Sequence, residues 1–384
     1  MSRINSICHV VHDYYPSIGG VEIQTKNLAE GLSKKGYNNI VFTKHTKSSY
    51  PEEETINDVE IVRKAYPATN SSFFLKLIGL VLNTRYLFVN RCRYQIIHLK
   101  APFFELMIPC WLLKMFSNIK VVYALSIDGE LPSVQGKMLS SLKKAVKRTM
   151  LMSFDAIISM NNMMSKEIED FGVPREKILF IINGVETDRF VPDITKKIPG
   201  RVIFIGRIDI DHKGVDVLLK SWKGLCKEYD QYHLVVAGPF ASDKDISTLK
   251  DYVKLNRLED KVSFVGEINY YSSDIVDYYQ SGELFILSSR YEGMPGTLMQ
   301  AMSCGLPVIS TRVGAAAELV FEGVNGFLAN VDDVSSLSNA IKGFFDLDES
   351  KRIDLGKRSR EIIIENYGQE KRINQFVELF SSIS

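Results

Sequence analysis

Two segments in the second half of the chain carry side chains suited to handling a diphosphate. The first runs Phe204-Ile205-Gly206-Arg207 and continues to Asp211-His212-Lys213-Gly214. An apolar run thus ends in Gly-Arg, and a lysine follows six positions after the arginine, just before an amphipathic stretch. Two cations on one strand-end loop neutralise a departing diphosphate without a metal, because fixed positive charge already stands where negative charge develops. The second segment runs Ser288-Ser289-Arg290-Tyr291-Glu292-Gly293-Met294-Pro295-Gly296-Thr297 and leads into Leu298-Met299-Gln300. Its glycines let backbone approach a ligand closely, and the free N–H groups of the helix start make an anion site. Glu292 is placed to accept hydrogen bonds from sugar hydroxyls, and Gln300, on the following helix, to reach a ribose. Taken singly, a Gly-rich helix start is packing and two loop cations are a solvated surface. Their occurrence in one predicted sheet favours a ligand site.

The elements that position these residues follow from periodicity. Residues 4–11 form an apolar run suited to a buried parallel strand. A Pro16-Ser17-Ile18-Gly19-Gly20 turn follows, then Val21, Leu28 and Leu32 at helical spacing. Gly36 ends that helix ahead of a strand at residues 40–43. Further short runs at 96–99, 121–125 and 156–159 alternate with helical patterns, which predicts a parallel sheet covered on both faces. The rhythm restarts with a strand at 202–205, a helix at 215–229 and strands at 233–237, 262–265, 284–287, 308–310 and 326–328. The expectation is an α/β protein with two Rossmann-like domains, residues 1–185 and residues 186–366. An amphipathic C-terminal helix is expected within 367–384. Parallel sheets bind ligands at the carboxyl ends of their strands, so two facing sheets are expected to border a cleft.

Composition sets outer limits. A chain of 384 residues, 45% hydrophobic and 24% charged, suits two globular domains. A net charge of +1 argues against nucleic-acid binding through bulk charge. The five cysteines, Cys8, Cys92, Cys110, Cys226 and Cys304, show no C-x-x-C pair, which reads as reduced thiols and no metal site. Residues 1–11 are too short for a signal peptide, and the apolar stretch 73–89 carries Lys76 and Arg85. A cytoplasmic protein is expected, with attachment to the inner membrane face left open. One segment for such attachment holds Lys137, Lys143, Lys144, Lys147 and Arg148 among apolar residues. It reads either as a helix lying on anionic lipid or as a solvated charged face. The apolar stretch 103–116, with Trp111, is a second contact candidate.

The chain as a whole resembles glycosyltransferase family 4, the large retaining group with the GT-B fold. The matching segments are Gly19-Gly20-Val21-Glu22, Asn183-Gly184-Val185-Glu186 through Phe190, Gly206-Arg207 to Lys213-Gly214, and Val262-Ser263-Phe264-Val265-Gly266. They continue with Glu292-Gly293 to Gly305-Leu306-Pro307-Val308 and end at Gly314, Glu318 and Asn325-Gly326. The resemblance implies that Arg207 and Lys213 bind the donor diphosphate. It implies that Glu292, with the amides of Gly293, Met294, Pro295, Gly296 and Thr297, holds the transferred sugar and phosphates. Gln300 would meet the ribose, and the Gly266, Glu267, Ile268 turn would lie against the base. Gly19 and Gly20 would approach the phosphates and acceptor. A retaining hexosyl transfer follows by the same resemblance. The donor is a nucleotide-sugar, with UDP favoured, and the acceptor a glycan or lipid-linked hydroxyl of cell-surface polysaccharide or glycolipid synthesis. No cofactor or metal is expected.

Two departures stand out. The family usually carries a second Glu eight positions after the first, where this chain has Gln300. A Gln keeps a carbonyl acceptor for the ribose but loses the charge that strengthens such bonds. The family often has a His at a strand end of the first domain. Here residues 121–125 lead to Ser126-Ile127-Asp128, so Ser126, Asp128 and the separate strand-end His98 are the acceptor-side candidates. The competing expectations are a nucleotide-sugar epimerase on the same fold and an inactive sugar-nucleotide-binding subunit, the latter suggested by Gln300 alone.

Overall fold

The structure is a computed structural model that describes residues 5–47, 49–65, 73–126, 130–131 and 138–383. It divides into two compact units, residues 1–183 with 370–384, and residues 184–369. In the first unit the chain runs β1 (Ser6–Val11), α1 (Gly20–Lys34), β2 (Asn38–Lys44), β3 (Glu53–Ile56) and β4 (Val59–Ala65). It continues α2 (Phe73–Val89), β5 (Ile96–Lys100), α3 (Phe104–Phe116), β6 (Lys120–Ala124), α4 (Met138–Ser153), β7 (Ala156–Ser159), α5 (Asn162–Asp170) and β8 (Ile178–Phe180). The sheet order is β3-β4-β2-β1-β5-β6-β7-β8. Its strands are parallel except β3, which pairs antiparallel with β4. That hairpin departs from the expected all-parallel sheet. Its turn residues, Asn57 and Asp58, both adopt positive φ, as a tight hairpin with right-handed strand twist requires. Central strands read as continuous apolar runs because both faces are covered; Ile7, Val10, Val11, Ile96 and Ile97 are fully buried.

The second unit runs β9 (Arg201–Ile205), α6 (Val215–Leu225), β10 (His233–Ala237), α7 (Asp243–Leu255), β11 (Val262–Gly266), α8 (Asp274–Gln280) and β12 (Leu284–Leu287). Then come α9 (Gly296–Ser303), β13 (Val308–Thr311), α10 (Ala316–Leu319), β14 (Gly326–Ala329), α11 (Val334–Phe345) and α12 (Glu349–Asn366). The sheet order is β11-β10-β9-β12-β13-β14, all parallel. Helix α6 stops at Leu225, short of the expected 229, where Cys226 and Tyr229 turn back onto the core. That core joins Val202, Phe204, Leu218, Trp222, Ile286 and Phe344 beneath α6 and α11.

The last helix, α13 (Gln369–Ser382), belongs to the first unit by its contacts. It buries Ile373, Phe376, Leu379 and Phe380 against Ile7, Leu28, Leu32 and Ile96. Each such side chain contributes about 1.5–3 kcal/mol, so the docking is firmly held. Gly31 on α1 makes room for it, since a side chain there would collide with Ile373.

Candidate active site

In an open parallel sheet, loops diverge and leave a crevice where strand order reverses. In the second unit that point lies between β9 and β12. The loops leaving their carboxyl ends, 206–214 and 288–296, are the two segments singled out by residue type. They are stitched together by backbone and side chain. Arg290 N–H donates to the His212 carbonyl at 2.7 Å, and the Ser288 hydroxyl donates to the Lys213 carbonyl at 2.9 Å. Gly214 has φ +59°, and a Cβ there would strike the Ser288 carbonyl, so only glycine fits the crossing.

Across that seam Lys213 Nζ stands 2.5 Å from Glu292 Oε1, with both side chains largely buried. Ser289 Oγ also donates to Glu292 Oε1, at 2.7 Å. Arg207, half exposed, donates from Nε to Asp209 Oδ2 at 2.7 Å. The other oxygen of Asp209 accepts the N–H groups of His212 and Lys213 at 2.6 and 2.8 Å. Burial alone would raise the Asp209 carboxyl, but the Lys213 amide, the Arg207 guanidinium and the His212 amide outweigh it and hold it below the usual range. Asp209 thus fixes both cations' loop, a role sequence reasoning missed. Its signal was an acidic residue between two cations, and an Asx-type turn is the local chemistry that uses one.

Arg290 adds no charge for a ligand. Its guanidinium is held by Asp216, Asp332 and the Ile210 carbonyl. Helix α9 starts after Pro295 without a side-chain cap. The Gly293 carbonyl accepts the Ala315 N–H at 2.9 Å. Met294 and Pro295 are buried, and Thr297 is half-buried. Gln300 is buried, and its Oε1 accepts the Tyr279 hydroxyl at 2.8 Å. Gly266, at φ +79°, ends the edge strand β11, with Glu267 exposed and Ile268 half-buried beyond it. Among the described residues no group of three His, Cys, Asp or Glu side chains converges as a metal cage.

In the first unit, Gly19 precedes α1 in extended conformation as its N-cap and Gly20 begins the helix. The acceptor-side candidates fare differently. His98 is 1% exposed in the middle of β5, with Nδ1 3.0 Å from His9 Nδ1 and its ring edge-on to Phe376. It is a core residue and lines no strand-end loop, because its position on β5 points it under α13. Ser126 follows β6, and its N–H donates to Glu130 Oε2 at 2.8 Å. Asp128 and Lys137 lie outside the described residues. On α4, Lys147 is buried and donates to the Glu130 carbonyl at 3.2 Å, so it is no part of a charged surface. No helix among the described residues is long and apolar enough to cross a membrane.

Comparison with known proteins bears on the whole chain. The family model described as Glycosyltransferase Family 4 matches residues 18–189, and that described as Glycosyl transferases group 1 matches residues 199–346. An N-acetyl-alpha-D-glucosaminyl L-malate synthase of Bacillus anthracis is 23% identical over 96% of this chain and 95% of its own. Two further curated relatives, 30% and 32% identical, are spanned over less than half of their length, 47% and 40%. Among solved structures, a sucrose-phosphate synthase from Thermosynechococcus elongatus superposes with a TM-score of 0.84 at 21% identity, covering 99% of each chain. The Anabaena protein HepE, solved in complex with UDP-glucose, gives a TM-score of 0.77 at 17% identity, covering 98% of this chain and 99% of that one. With two such domains in series, each matched by its own family model, the chain belongs to the GT4-type glycosyltransferases and has the GT-B fold.

Proposed function

We propose that the chain transfers a hexosyl group from a nucleotide-sugar, UDP-sugar favoured, to a hydroxyl of a glycan or lipid-linked acceptor, with retention and without a metal. The observation that carries this reading is the Lys213–Glu292 pair, which joins the two loops at the switch point of the second unit. Arg207 and Lys213 would stabilise the departing diphosphate, and the uncapped start of α9 would receive its oxygens. Glu292 would take hydroxyls of the sugar, and Gln300 the ribose. Relatives whose names state sugar transfer support the class, and the UDP-glucose bound by HepE supports the donor. In the retaining route the acceptor oxygen approaches C1 on the side where the diphosphate leaves.

The same reading includes an anionic membrane surface near the acceptor. What supports it lies on α2 and α3 more than on α4. Phe74, Leu77, Val81 and Val89 of α2, with Met115 and Phe116 of α3, are exposed, Phe74 at 68% and Phe116 at 74%. Helix α2 carries no acidic residue, and exposed Arg85 lies between Val81 and Val89 on its outer stripe. Such a face suits insertion among anionic headgroups.

The test is thermal unfolding against UDP, GDP, ADP and their sugars, each with and without EDTA. Ligand binding to the folded state alone raises the midpoint. The expected result is stabilisation by a UDP-sugar that EDTA leaves unchanged, followed by NMR of the product showing the donor's anomeric configuration kept. Absence of stabilisation by any nucleotide-sugar sinks the reading.

A further inference from the structure

Beneath α13 the central strands of the first unit carry a buried histidine pair that the donor chemistry leaves unused. His9 of β1 and His98 of β5 are register partners, with their Nδ1 atoms 3.0 Å apart and their rings edge to face. Both side chains are shut off from solvent.

The hydrogen bonds around the pair fix which nitrogens carry protons. The Asn39 amide donates to the Ser33 hydroxyl at 2.9 Å and to the Tyr37 carbonyl at 3.0 Å. Its oxygen is therefore the atom that faces His9 Nε2 at 3.0 Å, and Nε2 bears the hydrogen. His9 Nδ1 is then an acceptor, so His98 Nδ1 donates across the pair. That leaves a bare lone pair on His98 Nε2, which is buried with no hydrogen-bond partner.

The groups around the pair oppose a further proton. From α13 come the Phe376 ring, edge-on to His98 with centroids 5.3 Å apart, and the Arg372 guanidinium. Arg372 is itself buried; one terminal nitrogen donates to the Gln24 carbonyl of α1 at 3.0 Å, and its Nε has no partner. Strand β5 adds Lys100, β2 the neutral Asn39, and β6 the apolar Val122 beside His98. The carboxylates of Glu22 and Glu130 act on Lys100. Burial first, then His9, Lys100 and Arg372, hold His98 well below the ordinary 6.5, and burial pushes His9 down to about 4. Helix α13 is held by side-chain packing, the Arg372–Gln24 bond and the exposed Lys35–Glu370 ion pair, so it can lift away with the strands still paired.

We infer that α13 is a proton-released latch: uptake of a proton by His98 Nε2 strands an imidazolium against Arg372, and the helix lifts from the first unit so that water reaches both. A base held down in the docked state binds fewer protons there than when hydrated. Docking is therefore complete above 6.5 and weakens as pH falls toward about 4. Lys100, pushed down to about 7 by burial, changes stability above this window and leaves the slope below it to the histidines.

The test is amide hydrogen exchange of the whole chain, read by mass spectrometry from about pH 7.5 to about 4.5 and corrected for the intrinsic rate at each pH. Protection of α13 should fall by up to about tenfold per pH unit below the ordinary histidine value, while β1 and β5 stay protected. His98→Asn keeps a donor for His9 Nδ1 but takes up no proton, and should flatten that fall. In the wild type, imidazole nitrogen NMR should find His98 protonated on Nδ1 alone where α13 is protected, and on both nitrogens where it exchanges. Four results overturn the inference: α13 protection that holds across the range, joint loss by α13 and the central strands, an unchanged fall in His98→Asn, or an imidazolium at His98 beneath a protected α13.

Discussion

Lys213 Nζ rests on Glu292 Oε1 at 2.5 Å, so the lysine charge is already satisfied before any diphosphate arrives. On the proposed reading, a donor would draw the ammonium toward its phosphates while Glu292 turned to a sugar hydroxyl. The pair would then act as a preorganised exchange of partners between two largely buried groups.

That relationship separates two substitutions. Lys213→Ala leaves a mostly buried carboxylate unpaired and removes a charge from the leaving group. Turnover should fall about 100- to 1000-fold, with loss of UDP stabilisation. Glu292→Gln frees the lysine, so UDP alone should stabilise the chain at least as well as before, while turnover of the UDP-sugar drops. Thermal shift with UDP and with the intact donor reads both arms. Equal loss of UDP binding in both variants would contradict the exchange.

Asp209 carries the loop on which both cations stand. Asp209→Ala strips partners from Arg207 and from two amides, and should cost about 1–3 kcal/mol in urea unfolding. The sign with pH follows from its lowered carboxyl. The contribution is complete above the ordinary value of 3.8 and disappears as pH falls below it through the depressed folded value. Wild type and variant should therefore converge in stability under acid.

Gln300 accepts the Tyr279 hydroxyl at 2.8 Å, which aims the amide and occupies its carbonyl. Tyr279→Phe should loosen that amide and weaken UDP stabilisation while costing about 1 kcal/mol of stability. Gln300→Glu keeps an acceptor toward Tyr279 and adds charge for the ribose. Isothermal titration should show UDP bound at least as tightly. A variant that gained activity from nothing would revive the inactive-subunit alternative.

The apolar face of α2 and α3 makes a spatially specific forecast. Phe74→Ser with Phe116→Ser should abolish co-sedimentation with vesicles of phosphatidylcholine and phosphatidylglycerol, whereas Lys143→Ser with Arg148→Ser should weaken it only modestly. Stabilisation by UDP should be the same in all three proteins. Retained sedimentation of the phenylalanine variant would place the contact elsewhere.

Burial pushes the Lys100 ammonium down to about 7, with Arg372 adding to the shift. A base with a depressed folded value binds fewer protons folded than unfolded, so stability rises with pH between about 7 and the ordinary 10.5. Lys100→Met removes that slope. Its midpoint should gain on the wild type at pH 7 and lose the advantage near pH 10, as melting curves across that range would show.

Sequence by itself determined the fold class and the two loops that meet at the candidate site. Alternating apolar runs and helical periods are satisfied by covered parallel sheets, and Gly-Arg, Lys-Gly and Glu-Gly at strand ends mark loops suited to an anion. Tertiary structure alone decided which polar residues share a space. His98 and His12 are both histidines on or just beyond central strands, yet three residues of register bury one under α13 and leave the other past the carboxyl end of β1. Lys147 looked like a surface cation until α4 rotated it onto the Glu130 carbonyl. Side-chain direction depends on register and on what packs above, and neither is written in local spacing.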